Sequence, residues 1–130
     1  MQAYDEIYAT PGAFSWNELM TTDAEAAKAF YGRLLGWTFD TMDMGMGPYH
    51  LVKVGERVVG GVMNKPDPNM PCCWGSYVTV ADCDATVAQA KALGGSVCAE
   101  PFDVPGVGRM AVIQDPQGAT LQVIAYFPKS

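Results

Sequence analysis

The chain has 130 residues, of which 49% are hydrophobic and 17% are charged, enough apolar content for the core of one domain. Fourteen acidic and eight basic side chains give a net charge of −6, which argues against nucleic acid and an anionic membrane as partners, because both attract basic surfaces. No apolar run reaches the roughly 20 residues of a membrane span, and the amino terminus lacks a signal-peptide pattern, so we expect a cytoplasmic protein.

The first half of the chain begins with a strand and a helix. Residues 1–12 are expected to be loosely ordered. Residues 14–20 alternate in the manner of a strand, which places four side chains on one face: Phe14, Trp16, Glu18 and Met20. A helix follows between an N-cap at Thr22-Asp23 and a terminating glycine, Gly36. Its apolar stripe consists of Ala26, Ala27, Phe30, Tyr31, Leu34 and Leu35.

Three further strands complete this half. They are predicted at residues 37–42, 49–54 and 58–63, with a glycine- and proline-containing turn over residues 45–48. Residues 64–71 contain three prolines and no periodicity, which is typical of a linker.

The second half repeats this order. Residues 74–80 are a strand, and either Asp82 or Asp84 caps a helix that ends at the glycine pair after Leu93. Three more strands are predicted at residues 96–100, 109–114 and 119–126. The doubled pattern therefore predicts two similar β-rich modules.

We interpret the chain as one α+β domain over residues 1–130. Its two βαβββ modules would cover residues 12–64 and 74–128, with a linker at 65–73. Their mixed sheets are expected to curve around a shared cleft, where we expect the function to reside.

The cysteines do not indicate a metal site or a disulfide framework. There is no Cys-x-x-Cys pair, and the adjacent Cys72 and Cys73 make a poor crosslink or chelate. All four cysteines are expected to be reduced and partly buried.

Two ionisable side chains are candidates for acid–base chemistry. Glu18 is the only carboxylate of the first strand, and it is either a general base or ligand anchor in the apolar cleft, or a residue near the rim. His50 is the only histidine, and it is either a packed imidazole or a hydrogen-bond donor or weak base in the cleft.

Several short motifs accompany the doubled order of elements: Thr22-Asp23, Phe30-Tyr31, Leu35-Gly36-Trp37, Val80-Ala81-Asp82, Ala92-Leu93-Gly94-Gly95, Asp115-Pro116-Gln117-Gly118 and Leu121-Gln122. Together they resemble the vicinal oxygen chelate superfamily, which includes glyoxalase I, bleomycin-resistance proteins and extradiol dioxygenases. A subgroup of glyoxalase-like, CFP30B-type hydroxylases is similar at Pro11-Gly12, Trp16, Glu18-Leu19, Val59-Gly60-Gly61, Trp74-Gly75-Ser76-Tyr77 and Pro105-Gly106-Val107-Gly108-Arg109.

The resemblance also implies where a metal would bind, because metal-dependent members place ligands on the first and last strand of each module. In this chain the first and last strands of the first module offer Trp16 and either Gly60 or Gly61. Those of the second module offer Ser76 (or Gly75, one residue earlier) and Gln122. Only Gln122 carries a suitable ligand group, so the resemblance implies no inherited metal site and no cofactor. An improvised site of Glu18, His50 and Gln122 is the alternative.

The resemblance implies a metal-independent binder of a small apolar, aromatic or cationic molecule, assembled as a homodimer. Trp16 would stack on the ligand, Glu18 would pair with its polar or cationic group, and Ser76 and Gln122 would form hydrogen bonds. The candidate ligand-binding residues are Phe14, Trp16, Glu18, Met20, His50, Trp74, Ser76, Gln122 and Tyr126. The alternatives are a glyoxalase-like lyase or hydroxylase/dioxygenase-type enzyme that uses Glu18 or His50, and an accessory domain whose cleft is filled.

Overall fold

The computed structural model describes residues 6–43 and 47–128, and the first two residues of the predicted turn over residues 45–48 lie outside them. The described elements are, in chain order, β1 Phe14–Thr21, α1 Ala24–Leu35, β2 Thr38–Asp43, β3 Pro48–Val54, β4 Arg57–Asn64, β5 Cys73–Thr79, α2 Cys83–Ala92, β6 Ser96–Val104, β7 Gly108–Gln114 and β8 Thr120–Tyr126. The predicted α+β class and the doubled order of strand, helix and three strands are confirmed.

Helices α1 and α2 each begin at an aspartate cap. The Asp23 carboxylate accepts a backbone N–H of the first turn of α1 at 3.0 Å, and Asp82 does the same for α2. Asp82 is therefore the cap of α2, while Asp84 pairs with Arg109 at 2.8 Å. The end of α1 is set by Gly36, whose φ of 75° is the left-handed conformation that glycine adopts readily.

The chain forms two compact units. The first unit comprises residues 16–75, and the second unit combines residues 6–15 with residues 76–128. In the first unit the strand order is β2-β3-β4-β1, and in the second it is β5-β8-β7-β6. One pair in each unit is parallel, β1 with β4 and β5 with β8, and the other pairs are antiparallel, so both sheets are mixed as predicted. The assignment of both units to a single domain stays a prediction.

Each unit has its own core between its helix and one face of its strands. In the first unit the buried core residues are Leu19, Ala24, Val52 and Val62, with Ala27, Tyr31, Trp37, Phe39 and Val59 packed against them. In the second unit they are Cys83, Val87, Ala111 and Val123, with Val80, Val97, Ile113 and Ala125 around them. In each unit, the face of the strands that points away from the helix lies outside this core.

Helix α1 buries less of its apolar stripe than the sequence suggests. Ala27 and Tyr31 pack on the core, whereas Phe30, Leu34 and Leu35 are exposed. Neither described helix has the length and apolar character needed to cross a membrane.

The segment before β1 is more firmly attached than predicted, over the part of it that is described. The Thr79 hydroxyl donates to the Ile7 carbonyl at 2.7 Å, and the Thr79 carbonyl accepts the Gly12 N–H at 2.8 Å. These hydrogen bonds hold residues 7–12 against β5.

The four cysteines are free thiols, as predicted. Cys83 is buried and Cys73 is half-buried, but Cys72 and Cys98 are exposed, so the expectation of partial burial is wrong for two of them.

Candidate functional site

Three side chains of the first unit form a hydrogen-bonded row on the face of the strands opposite α1. The Tyr49 phenol donates to Glu18 Oε2 at 2.6 Å, and the Trp16 indole Nε1–H donates to the Tyr49 oxygen at 3.0 Å. Trp16 and Glu18 alternate with Leu19, which lies in the α1 core, so both point away from the helix. The structure thus places Trp16 and Glu18 on one face, as the alternation predicts.

The environment of Glu18 is unfavourable for a bare carboxylate. The residue is only 8% exposed, and removing a carboxylate from water costs several kcal/mol unless it is hydrogen bonded or paired. Tyr49 compensates part of this cost with a short hydrogen bond to the acid. Glu18 is therefore held in a defined position.

Two glycines lie in the middle of β4, and one of them, Gly61, explains how Tyr49 reaches Glu18. Gly61 lies opposite Glu18 in the register of β4 with β1, and a Cβ at Gly61 would overlap the Tyr49 hydroxyl and ring. Its φ is not positive, so glycine is required here for space rather than for backbone conformation. Gly60 has a different reason, because a Cβ there would lie 2.6 Å from the carbonyl oxygen of Asn17 on the parallel strand.

Sequence reasoning did not identify Tyr49 as part of the site. The signal that could have found it is the Gly60-Gly61 pair inside a strand, since glycine in a strand interior often marks a close approach by another group. The sequence did not say which group that would be.

His50 lies on the other face of the same strands, on the side of α1. It is 2% exposed, with Nδ1 2.8 Å from the Thr41 hydroxyl and Nε2 3.2 Å from the Glu25 carboxylate. A carboxylate only accepts, so in the neutral ring Nε2 carries the proton and Nδ1 accepts from Thr41. Burial lowers the pKa of His50, nearby Lys28 lowers it further, and Glu25 opposes both. His50 and Glu18 are not brought together.

Trp74 also lies on the α1 side. Its indole N–H donates to the Tyr31 hydroxyl at 3.3 Å, and its ring packs against Trp37 with centroids 5.9 Å apart. Of the remaining candidates on β1, Met20 is half-buried and Phe14 is 63% exposed.

In the second unit, Gln122 is a buried polar residue on the face away from α2. It lies opposite Tyr77 in the register of β8 with β5, and its neighbour Val123 belongs to the α2 core. It is 7% exposed, and its Nε2 has no hydrogen-bond partner among the residues that the structure describes. Because Ser76 alternates with Tyr77, it points to the opposite face from Gln122.

Tyr126 shares the face of Gln122 by strand alternation. Its hydroxyl lies 2.7 Å from that of Ser15, and its ring meets Tyr8 edge-on at 5.1 Å. Burial raises the pKa of Tyr126 to about 12, against the opposing effect of Ser15, so this phenol stays protonated near neutral pH.

Comparison with known proteins identifies the family. Residues 13–123 match the family model described as the Glyoxalase/Bleomycin resistance protein/Dioxygenase superfamily. The chain belongs to this superfamily.

Two kinds of relative are similar in sequence. A protein of Mycobacterium bovis named "Putative glyoxylase CFP32" is 45% identical over 119 residues, which cover 91% of this chain and 46% of the relative. The "Anthracycline biosynthesis protein DauV" of a Streptomyces species is 34% identical over 128 residues, covering 87% of this chain and 46% of the relative. The chain thus spans about half the length of these curated relatives.

Solved structures support the same fold at low sequence identity. A hypothetical protein, BH1468 from Bacillus halodurans, has a TM-score of 0.70 and 12% identity, with 93% of this chain and 99% of that chain covered. Methylmalonyl-CoA epimerase from Mycobacterium tuberculosis has a TM-score of 0.65 and 15% identity, with 92% and 93% covered.

The superfamily's metal can be tested against the residues at its ligand positions. Trp16 lies two residues before Glu18, which pairs with Gly61, and Gly75 lies two residues before Tyr77, which pairs with Gln122. Because side chains alternate along a strand, Gly61 shares the face of Trp16 and Gly75 shares the face of Gln122, whereas Gly60 and Ser76 lie on the opposite faces. The four positions are therefore Trp16, Gly61, Gly75 and Gln122.

These residues do not fit a metal ion. An indole and two glycines offer no ligand atom from their side chains, the indole N–H is already donated to Tyr49, and the Tyr49 ring occupies the space over Gly61. No group of three or more His, Cys, Asp or Glu within residues 6–43 and 47–128 could hold an ion. The improvised set also fails, because Glu18 and His50 point to opposite faces.

Proposed function

We propose that this protein binds a small, largely apolar or aromatic molecule that carries a cationic or hydrogen-bond-donating group, without the help of a metal. The observation that supports the proposal is the row of Trp16, Tyr49 and Glu18 at and beside two of the superfamily's metal-ligand positions. This chain presents an indole at one of these positions and a buried acid, Glu18, opposite another, Gly61.

The chemistry of that row favours a cationic aromatic guest. An indole face attracts cations through its quadrupole, and a desolvated carboxylate pairs with an ammonium group or accepts a hydrogen bond from a donor. The net charge of −6 adds a general attraction for cations. Trp16 is half-buried, so part of the indole remains accessible.

Gln122, considered within the second unit alone, is a further candidate hydrogen-bond donor to a small molecule. A buried amide donor without a partner costs about 1–3 kcal/mol, and an acceptor on the ligand would recover that free energy. The proposal therefore assigns Gln122 a donor role toward a carbonyl or similar oxygen.

Thermal shift measurements test this function. Wild-type protein would be screened with benzyltrimethylammonium, benzylamine, benzyl alcohol and benzoate. A ligand present at 100 times its Kd stabilises the native state by about 2.7 kcal/mol, which raises the Tm of a chain this size by roughly 10 °C. Trp16→Ala should abolish the shift, whereas Trp74→Ala, which removes a tryptophan from the α1 side, should retain it. Absence of any shift in the wild type, or an unchanged shift in Trp16→Ala, would refute the proposal.

A second candidate is a glyoxalase-like lyase or another enzyme of the superfamily that uses Glu18 as a general base. It is supported by the hydrogen bond from Tyr49 to a buried carboxylate and by the printed name of the mycobacterial relative. The test is turnover of the hemithioacetal of methylglyoxal by wild type and Glu18→Gln, with metal analysis of protein purified without chelators. Turnover that requires Glu18 would favour this candidate, and stoichiometric Ni, Zn, Fe or Mn would refute metal independence.

The proposal includes assembly as a homodimer in the cytoplasm. The exposed apolar side chains of α1, Phe30, Leu34 and Leu35, are compatible with a covered surface. Analytical ultracentrifugation would detect the dimer, and a monomer at micromolar concentration would refute it.

A further inference from the structure

We infer that Tyr49 is a positioning residue that fixes the Trp16 indole and the Glu18 carboxylate relative to each other, and thereby makes the site prefer a cationic ligand to an anionic one. The inference rests on the proposed function, because it concerns the selectivity of the same site. It adds Tyr49, which lies on β3, to Trp16 and Glu18, the two residues of β1 that would contact the ligand.

The first argument is the path of the Tyr49 side chain. Tyr49 lies on β3, while Trp16 and Glu18 lie on β1, and β4 runs between these strands. Neighbouring strands are about 4.8 Å apart, so β3 and β1 are separated by roughly 10 Å. An aromatic side chain can bridge that distance only if β4 presents no side chain where the ring crosses. Gly61 provides this opening, and a Cβ there would overlap the ring.

The second argument is the direction of the hydrogen bonds. An indole N–H can only donate, so the Tyr49 oxygen must accept from Trp16, and its own proton is left for Glu18. The phenol therefore orients the indole and, through its own hydrogen bond, the carboxylate with which a cationic ligand would pair.

The third argument concerns what a carboxylate in this position rejects. An anionic ligand whose ring lies on Trp16 would bring its charge toward Glu18, and like charges repel strongly where water is excluded. A cation in the same place is attracted. Two ligands with the same ring and opposite charge should therefore differ most in affinity when Tyr49 is intact.

The chain offers a matched control for loss of the phenol. Tyr31 also accepts an indole N–H, from Trp74 at 3.3 Å, but on the α1 side of the first unit. Tyr31→Phe and Tyr49→Phe thus remove the same atom and the same kind of hydrogen bond on opposite faces. An effect specific to the site should follow only Tyr49→Phe.

The experiment compares wild type, Tyr49→Phe and Tyr31→Phe, using benzyltrimethylammonium and benzoate as probes. Affinities are measured by calorimetry, and the indole N–H resonances are followed by ¹⁵N NMR. We expect the cation-to-anion affinity ratio to fall about tenfold or more in Tyr49→Phe, because a hydrogen bond to a charged group is worth a factor of that order. The Trp16 indole resonance should move in the same variant. In Tyr31→Phe the ratio should be unchanged, and the Trp74 resonance should move instead.

Gly61→Ala provides a second route to the same loss, because it displaces the ring without removing the hydroxyl. Loss of selectivity in both Tyr49→Phe and Gly61→Ala, with Tyr31→Phe unaffected, would support the inference. If Tyr49→Phe keeps the wild-type ratio, or if Tyr31→Phe loses it equally, the inference is wrong while the proposed binding function stands. If wild type binds neither probe nor any other member of the ligand panel, the proposed function fails and the inference fails with it.

Discussion

Replacing Gly61 by alanine would place a methyl group where the Tyr49 hydroxyl and ring lie. The substitution removes about 0.4–1 kcal/mol of unfolded-state entropy, which by itself is stabilising because the φ of Gly61 is one that alanine accepts. Against this, an extra carbon in a packed position typically costs about 1–3 kcal/mol. The net loss should be roughly 1–2 kcal/mol, which lowers the Tm of a domain this size by roughly 4–8 °C.

A double-mutant cycle with Tyr49→Ala tests the cause of that loss. Without the Tyr49 ring the new methyl group has room, so Gly61→Ala should be neutral or slightly stabilising in the Tyr49→Ala background. Gly60→Ala is the control, because its obstacle is the backbone oxygen of Asn17, and it should destabilise both backgrounds equally. Urea unfolding gives the four free energies of unfolding for the cycle and the two for the Gly60→Ala controls. Additive effects of Gly61→Ala and Tyr49→Ala would refute the packing argument.

Three further predictions concern His50, the helix caps and metal. Because the pKa of His50 is lowered below 6.5, the folded state binds this proton less readily than the unfolded state. The contribution of neutral His50 to the free energy of unfolding is therefore fully present above about pH 6.5 and is lost as the pH falls through the folded-state pKa. His50→Gln should flatten this part of the stability profile in urea titrations between pH 7.5 and 5, and an unchanged slope would contradict it. Asp23→Ala should cost about 1 kcal/mol by removing the α1 cap, with a similar loss for Asp82→Ala, measured by thermal unfolding. Dialysis against EDTA should leave both the Tm and the shift caused by benzyltrimethylammonium unchanged, and a fall in either would argue for a bound ion.

The repetition of elements could be predicted because its signals are local. An aspartate beside an apolar periodic segment and a glycine after it are sufficient to mark the ends of α1, since the capping bonds join residues three or four apart. The sequence left Asp82 and Asp84 as alternative caps of α2. The structure shows that Asp82 accepts the Ala85 N–H, whereas Asp84 pairs with Arg109, a partner distant in sequence that the local pattern could not reveal.

In the candidate site, too, the local pattern predicted some features and the strand register decided others. Alternation along one strand put Trp16 and Glu18 on one face, because strand side chains alternate whatever the strand pairs with. It could not put Tyr49 beside them, since that contact requires the register of β3 with β4 and of β4 with β1. Adjacent residues of β3 also point to opposite faces, which is why Tyr49 meets Glu18 and His50 meets Glu25.

The sequence by itself determined the elements, their doubled order and the face that carries the indole and the acid, because these depend on the period of each segment and on hydrogen bonds between near neighbours. Only the tertiary structure decided that β3 supplies the Tyr49 phenol, which reaches Trp16 and Glu18 across the position of Gly61, where no side chain is in the way. Strand register is set by pairings between residues far apart in the chain, and a shift of one residue would turn each of these side chains to the other face.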